Sequence, residues 1–116
     1  MDVTKQVGRR IRVCAVAELP DGEAVRIPRE ETGTGDAIAV FNDGGEFFAL
    51  NDTCTHAQGS LAEGWVEDGE VECPVHSGVF CLRTGEALAM PASRDTVGHP
   101  VEVSGGEVWL MPGASS

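Results

Sequence analysis

Hydrophobic and polar residues alternate over short stretches along the whole chain, and each stretch ends at a turn signal. This two-residue period is typical of strands with one buried face, and no segment keeps an apolar period of 3.6 residues over three turns. The predicted strands are Arg10–Val16, Ala24–Ile27, Ala37–Phe41, Glu46–Leu50, Trp65–Glu67, Glu70–Cys73, Val79–Leu82, Glu86–Leu88, Val101–Val103 and Val108–Met111. The pattern therefore predicts an all-β protein built as an antiparallel sandwich or barrel.

Turn residues separate the predicted strands and indicate hairpins. Asn42–Gly45 is a strong hairpin signal, and Asp68-Gly69 lies between two further predicted strands. The polar stretch Pro28–Asp36 is predicted to be an extended hairpin loop. A length of 116 residues predicts one domain over residues 1–116, with a short flexible tail at 113–116.

Two cysteine–histidine pairs are the candidate metal ligands. Cys54 and His56 lie in Cys-Thr-His, and Cys73 and His76 lie in Cys-Pro-Val-His. One Cys and one His from each of two loops suit a [2Fe-2S] centre with thiolates on one iron and imidazoles on the other. Zinc accepts the same ligands, although zinc fingers usually group Cys with Cys and His with His. The spacing therefore favours an iron–sulfur centre and leaves a zinc-stabilised, non-redox interaction module as the alternative.

The residues around these ligands resemble the Rieske family. Cys54–Leu61 and Val71–Phe80 are similar to its cluster-binding loops. Phe80–Leu88 and Met90–Ala92 resemble the Rieske ferredoxins of bacterial aromatic-ring dioxygenases, of the biphenyl and phenylpropionate type. The resemblance extends over roughly residues 10–111.

This resemblance implies a Rieske-type antiparallel β-sandwich in which about residues 50–92 form a cluster-binding part with two ligand loops. It implies that Cys54 and Cys73 bind one iron, and that His56 and His76 bind the outer one. The implied function is a low-potential ferredoxin, with no catalytic residue of its own, between a flavin-dependent reductase and a terminal oxygenase. A small subunit of nitrite reductase is an alternative with the same fold, although such subunits often lack the ligands.

Departures from the respiratory Rieske proteins predict a low reduction potential. Gly59 and Val75 occupy the positions at which those proteins carry a loop-bracing disulfide, and Gly78 replaces a hydroxyl residue that donates to a cluster sulfur. Fewer donors to sulfur lower the potential, so we expect a value of roughly −150 mV, at the bottom of the Rieske range. Ser77 stands where glycine is common, and Pro91 matches a proline loop that covers the cluster.

Negative charge is concentrated around the ligand loops. Eleven acidic residues and no Lys or Arg occur between Glu30 and Leu82, and this stretch accounts for the whole net charge of −11. Such a surface either keeps the protein soluble or steers it to a basic patch on a redox partner, and it disfavours nucleic acid. Neither a signal peptide nor a membrane-spanning stretch is evident, so we expect a cytoplasmic monomer.

The remaining notable residues have structural interpretations. Cys14 and Cys81 are expected to be buried or half-buried structural cysteines. His99 is expected at the surface, and Trp65 and Trp109 are expected to pack in the core or at a sheet edge.

Overall fold

The computed structural model describes residues 10–54, 59–75, 78–90 and 94–112. Within them the strands are β1 (Ile11–Ala15), β2 (Ala24–Ile27), β3 (Ile38–Asp43), β4 (Glu46–Asn51), β5 (Trp65–Glu67), β6 (Glu70–Glu72), β7 (Val79–Cys81), β8 (Ala87–Ala89), β9 (Gly98–His99), β10 (Val101–Ser104) and β11 (Glu107–Leu110). The helical elements are one α-helical turn, α1 (Arg29–Thr32), and two 3₁₀ turns at Val16–Glu18 and Leu61–Glu63. The all-β prediction is confirmed.

The strands form three antiparallel sheets, ordered β1-β11-β10, β2-β3-β4-β9 and β5-β6-β7-β8. We call the third sheet the ligand-loop sheet, because both ligand loops adjoin it. One loop precedes β5 in the chain, and the other connects β6 to β7. The hairpins at Asn42–Gly45 and Asp68-Gly69 form as predicted.

Strand β3 is the centre of the packing because residues on both of its faces are buried. Ala39 and Phe41 pack with Leu50, Phe80 and the two motif cysteines on one side. Ile38 and Val40 pack on the other side, in a second cluster that includes Val108 and Leu110 of β11. Each fully buried Val, Leu, Ile or Phe side chain in these clusters contributes about 1.5–3 kcal/mol of hydrophobic free energy. The first cluster therefore provides a well-packed support for the two cysteines from which the ligand loops start.

The structure differs from the predictions in two local elements. The stretch Pro28–Asp36 is not simply an extended loop, because it contains the helical turn α1, which ends at Gly33 with φ of 74°. Strand β9 was not predicted, since it is only two residues long and depends on pairing with Ala49 and Leu50 of β4.

Three side-chain predictions have different outcomes. Trp65 lies at a sheet edge, one of its two predicted positions, because β5 is an edge strand of the ligand-loop sheet, and 61% of its surface is exposed. His99 is half-buried rather than at the surface, with Nε2 2.8 Å from Asn51 Oδ1. Cys14 is buried and Cys81 half-buried, as predicted. Among the described residues, the helices are all too short and too polar to cross a membrane.

Candidate metal centre

Cys54 and Cys73 lie together in the first buried cluster. Cys54 follows β4 and Cys73 follows β6, and only 3% and 0% of their surfaces are exposed. Their side chains lie within hydrogen-bonding reach of each other. Two sulfurs nineteen positions apart in the sequence are therefore neighbours in a site from which bulk water is excluded.

Each of the two ligand loops is closed by a backbone hydrogen bond of the same kind. The N–H of Cys54 donates to the carbonyl of Gly59 at 2.9 Å, and the N–H of Cys73 donates to the carbonyl of Gly78 at 2.7 Å. Each loop thus starts at a cysteine and returns five residues later at a buried glycine. This shared geometry presents the two cysteines in equivalent ways.

Gly59 is the point at which the first loop touches the second. A Cβ atom at this position would lie 3.0 Å from Cys73 Sγ and 2.9 Å from Val75 Cγ2. A side chain at this position would require the Val75 methyl group and the Cys73 sulfur to shift. The sequence comparison with respiratory Rieske proteins places a disulfide at positions 59 and 75, and the structure confirms that these two positions are adjacent.

Burial makes the thiolate form of Cys73 unfavourable in the metal-free protein. It raises the pKa of Cys73 to about 11, although the N–H of Val75, which donates to Sγ at 3.4 Å, works in the opposite direction. A bound cation reverses this balance, because metal binding deprotonates a coordinating thiol. Two adjacent buried thiols with a backbone donor to sulfur therefore fit the iron that two cysteines hold in a [2Fe-2S] cluster.

The other predicted ligands, His56 and His76, lie outside the described residues, as do Ser77, Pro91 and the tail at 113–116. The structure describes both flanks of each ligand loop, and it places the two motif cysteines in one buried cluster. The histidine assignments stay predictions.

Sequence patterning does not single out two carboxylates that contact the first loop. The Asp36 carboxylate accepts hydrogen bonds from Thr53, and the buried Asp52 carboxylate accepts them from Ser60 and Ala62. Aspartate in Asn-Asp-Thr is equally typical of an exposed turn. Only the tertiary contacts distinguish the two environments.

The outer surface of the ligand-loop sheet is acidic. The exposed ring of Trp65 and the side chain of Val79 line a groove of about 360 Å³, together with four acidic residues that we call the acidic face: Glu67, Asp68, Glu70 and Glu72. Glu67 pairs with Glu70 across β5 and β6. Like charges opposite each other destabilise a sheet, so this pair has no evident structural benefit.

Comparison with known proteins gives the family. Residues 9–104 match the model of the Rieske [2Fe-2S] domain. The chain is 48% identical over 102 residues to the 3-phenylpropionate/cinnamic acid dioxygenase ferredoxin subunit of Escherichia coli K12, covering 87% of this chain and 92% of that subunit.

Solved structures agree with this match. A chain in the complex of reduced oxygenase and oxidized ferredoxin in carbazole 1,9a-dioxygenase superposes with a TM-score of 0.81 at 34% identity, covering 90% of this chain and 94% of that chain. The Sphingomonas yanoikuyae B1 ferredoxin superposes with a TM-score of 0.79 at 35% identity, covering 89% and 98%.

Proposed function

Because this chain belongs to the Rieske [2Fe-2S] domain family and is an electron carrier with one Rieske-type cluster, we propose that it takes single electrons from a flavin-dependent reductase and delivers them to a terminal ring-hydroxylating oxygenase. The observation that carries the proposal is the pair of adjacent buried cysteines at the end of the ligand-loop sheet. The ferredoxin names of the relatives at 48% and 34% identity support the same role. The cytoplasm is the proposed compartment, since its reducing conditions keep cysteines available as ligands.

Cys54 and Cys73 are the proposed ligands of one iron, and His56 and His76 are the proposed ligands of the other. When bound, the cluster supplies a one-electron couple. The sulfurs of Cys54 and Cys73 are shielded from water by burial. The Val75 N–H stabilises negative charge on Cys73 Sγ. The potential of roughly −150 mV rests on the glycine at position 78, which offers no hydroxyl donor.

Substitution of the histidines tests the ligand assignment, and this chain offers a matched control. His56→Ala and His76→Ala are each expected to abolish the visible Rieske spectrum, whereas His99→Ala is expected to retain it, since His99 lies in β9 outside both motifs. A variant of His56 or His76 with an unchanged spectrum would contradict the assignment.

Reconstitution tests the place of the protein between its partners. A phenylpropionate-type reductase with NADH and the corresponding oxygenase are mixed with and without this chain. We expect oxygenase reduction only when the chain is present. Reduction of the oxygenase at the same rate without it would contradict the carrier role.

The zinc alternative predicts zinc, and neither iron nor acid-labile sulfide, in the purified protein.

The acidic face is the proposed docking surface for basic patches of the partners. Three of its carboxylates lie in β5 and β6 and Asp68 lies in the turn between them, and charge of one sign on a docking surface accelerates encounter with a partner of opposite charge. The exposed ring of Trp65 adds an apolar and cation-binding surface beside them.

A further inference from the structure

The segment at 28–36 ends in a network of hydroxyl groups that fixes Asp36. Thr32, at the end of α1, is buried, and its hydroxyl lies 2.8 Å from the hydroxyl of Thr34. The Thr34 hydroxyl in turn donates to the Asp36 carbonyl at 2.8 Å. The backbone of Asp36 is therefore held in place without a regular strand or helix.

The Asp36 carboxylate uses this fixed position to hold the residue before the first cysteine. Its Oδ2 accepts the N–H of Thr53 at 3.0 Å, and its Oδ1 accepts the Thr53 hydroxyl at 2.9 Å. Both oxygens are thus directed to one residue, and hydrogen bonds to a charged acceptor are stronger than neutral ones. Thr53 is covalently attached to Cys54, so its position limits where the cysteine sulfur can lie.

The Asp52 carboxylate holds the opposite side of the same loop. Its Oδ1 accepts the Ser60 hydroxyl and the Ala62 N–H, both at 2.9 Å, and its Oδ2 accepts Arg26 Nε at 3.1 Å. The Asp52 side chain is only 4% exposed. A buried carboxylate is costly unless donors satisfy it, which these three contacts do, and the bonds from Ser60 and Ala62 fix the path of the chain after Gly59.

The two carboxylates meet the loop at its stem. Thr53 and Ser60 form an isolated antiparallel bridge, and the Cys54 N–H bonds to the Gly59 carbonyl immediately inside it. Asp36 holds the Thr53 side of this stem, and Asp52 holds the Ser60 side. Each carboxylate acts on the loop through the residue that it holds beside the loop.

We propose that Asp36 and Asp52 form a carboxylate clamp that positions Cys54 for iron and slows release of the cluster. The segment at 28–36 then serves to place the Asp36 carboxylate beside Thr53, at the start of the first ligand loop. This inference rests on the proposed function, because it concerns retention of the cluster. Asp36 and Asp52 are positioning residues and neither binds iron.

Release of iron to a chelator tests the clamp under conditions in which the protein stays folded. Thr53→Val removes the hydroxyl donor to Asp36, Thr53→Ser restores it, and Ser60→Ala removes a donor to Asp52. Thr53 is exposed, so the valine leaves no buried polar group without a partner. We expect bathophenanthroline sulfonate to extract iron about threefold faster from T53V and from S60A, and about tenfold faster from the double variant, because each lost hydrogen bond corresponds to a several-fold change.

Two further measurements separate positioning from general stability. The EPR g-values of the reduced cluster are expected to shift in T53V and to match wild type in T53S. The control is Asp21→Asn, which alters a comparable bond, from the Gly44 N–H at 2.6 Å, at the opposite end of the β3–β4 hairpin from Asn51. Its iron release and g-values are expected to equal those of wild type.

The outcomes distinguish this inference from the function on which it rests. Wild-type protein with a cluster, together with T53V and S60A that release iron at the wild-type rate, would overturn the clamp alone. Faster release from D21N than from T53V would also overturn it, since the effect would then be general. Wild-type protein without iron and sulfide would overturn the proposed function and the clamp together.

Discussion

Among the described residues, Gly59 brings the first ligand loop close to the second, and Gly59→Ala is expected to damage the centre. The new Cβ would lie 2.9 Å from Val75 Cγ2 and 3.0 Å from Cys73 Sγ, so these two side chains or the backbone that carries them must shift. Overpacking of this kind costs about 1–3 kcal/mol of folding free energy. We expect G59A to contain less iron and sulfide per protein than wild type.

A second glycine provides the control for this substitution. Gly35 has no atom within 4 Å of an added Cβ, so Gly35→Ala is expected to retain the full cluster content. Val75→Ala introduced into G59A removes the nearer of the two clashing atoms and is expected to restore part of the iron. Full iron content in G59A alone would show that the loops adapt and that the tight contact is unimportant.

His99 is expected to make the stability of the protein depend on pH. Burial lowers the pKa of His99 below its ordinary value of 6.5. The unfolded chain therefore binds this proton at a higher pH than the folded protein does, so acidification through the ordinary pKa favours unfolding. Between pH 7 and pH 5 the free energy of unfolding is expected to fall more steeply in wild type than in His99→Gln, as measured by urea denaturation. Parallel curves for the two proteins would contradict this prediction.

Residue types and spacing predict the ligand cysteines, but not the residues that hold them. Cys54 and Cys73 are recognisable because each stands in a short motif with a histidine. The role of Asp52 depends on Arg26, which lies 26 positions earlier and meets it only after β2 pairs with β3. No local pattern separates this buried aspartate from one in a turn.

At the scale of elements, the β5–β6 hairpin carries the acidic face, and its turn requires positive φ at two consecutive residues. Asp68 and Gly69 have φ of 54° and 80°, which is the left-handed pair of a type I′ turn. Gly69→Ala is expected to lower the free energy of unfolding by about 1–2 kcal/mol, because alanine is strained in this conformation. Urea denaturation measures the loss.

The control for the turn is Asp68→Gly, which is expected to leave stability nearly unchanged because glycine adopts a positive φ easily. The carboxylate of Asp43 accepts the Gly69 N–H, so the turn is also tied to the end of β3. Equal stability of G69A and wild type would contradict the assigned turn geometry.

Hairpins with short turns are predictable from sequence because strand, turn and partner strand are contiguous. The turns at Asn42–Gly45 and Asp68-Gly69 illustrate this. The helical turn α1 and strand β9 are not predictable in this way. The first lies in a polar stretch whose Thr32 and Thr34 hydroxyls bond to the Asp36 carbonyl, and the second depends on pairing with β4 across the fold.

At the scale of the whole molecule, the concentration of charge around the ligand loops is expected to control the rate of encounter with the reductase. Glu67→Gln combined with Glu70→Gln removes two charges that face each other across β5 and β6. We expect this double variant to be reduced more slowly than wild type at low ionic strength in stopped-flow measurements. The difference is expected to vanish near 1 M salt, where the screening length falls to about 3 Å.

A matched pair of substitutions away from the ligand-loop sheet controls for net charge. Glu23→Gln with Glu30→Gln also removes two exposed charges, but from the segments around β2 and α1. Its reduction rate is expected to stay closer to that of wild type. Equal slowing in both double variants would show that total charge, and not the acidic face, governs the encounter.

The sequence resemblance predicts the fold and the cofactor of the whole molecule because the two ligand motifs occur in a long stretch similar to one family. Family membership and the all-β architecture are confirmed. The histidine ligands, the reductase and the extent of the domain over residues 1–116 stay predictions. The exposure of a side chain is harder to predict than the composition of the core. Trp65 is a large apolar residue that is 61% exposed, and its residue type alone does not indicate this.

Low-temperature EPR of the dithionite-reduced protein distinguishes a Rieske cluster from a structural zinc site. Two cysteines on one iron and two histidines on the other predict a rhombic signal with an average g of ~1.9. A colourless protein that contains zinc and gives no such signal would contradict the Rieske assignment and indicate a structural metal site.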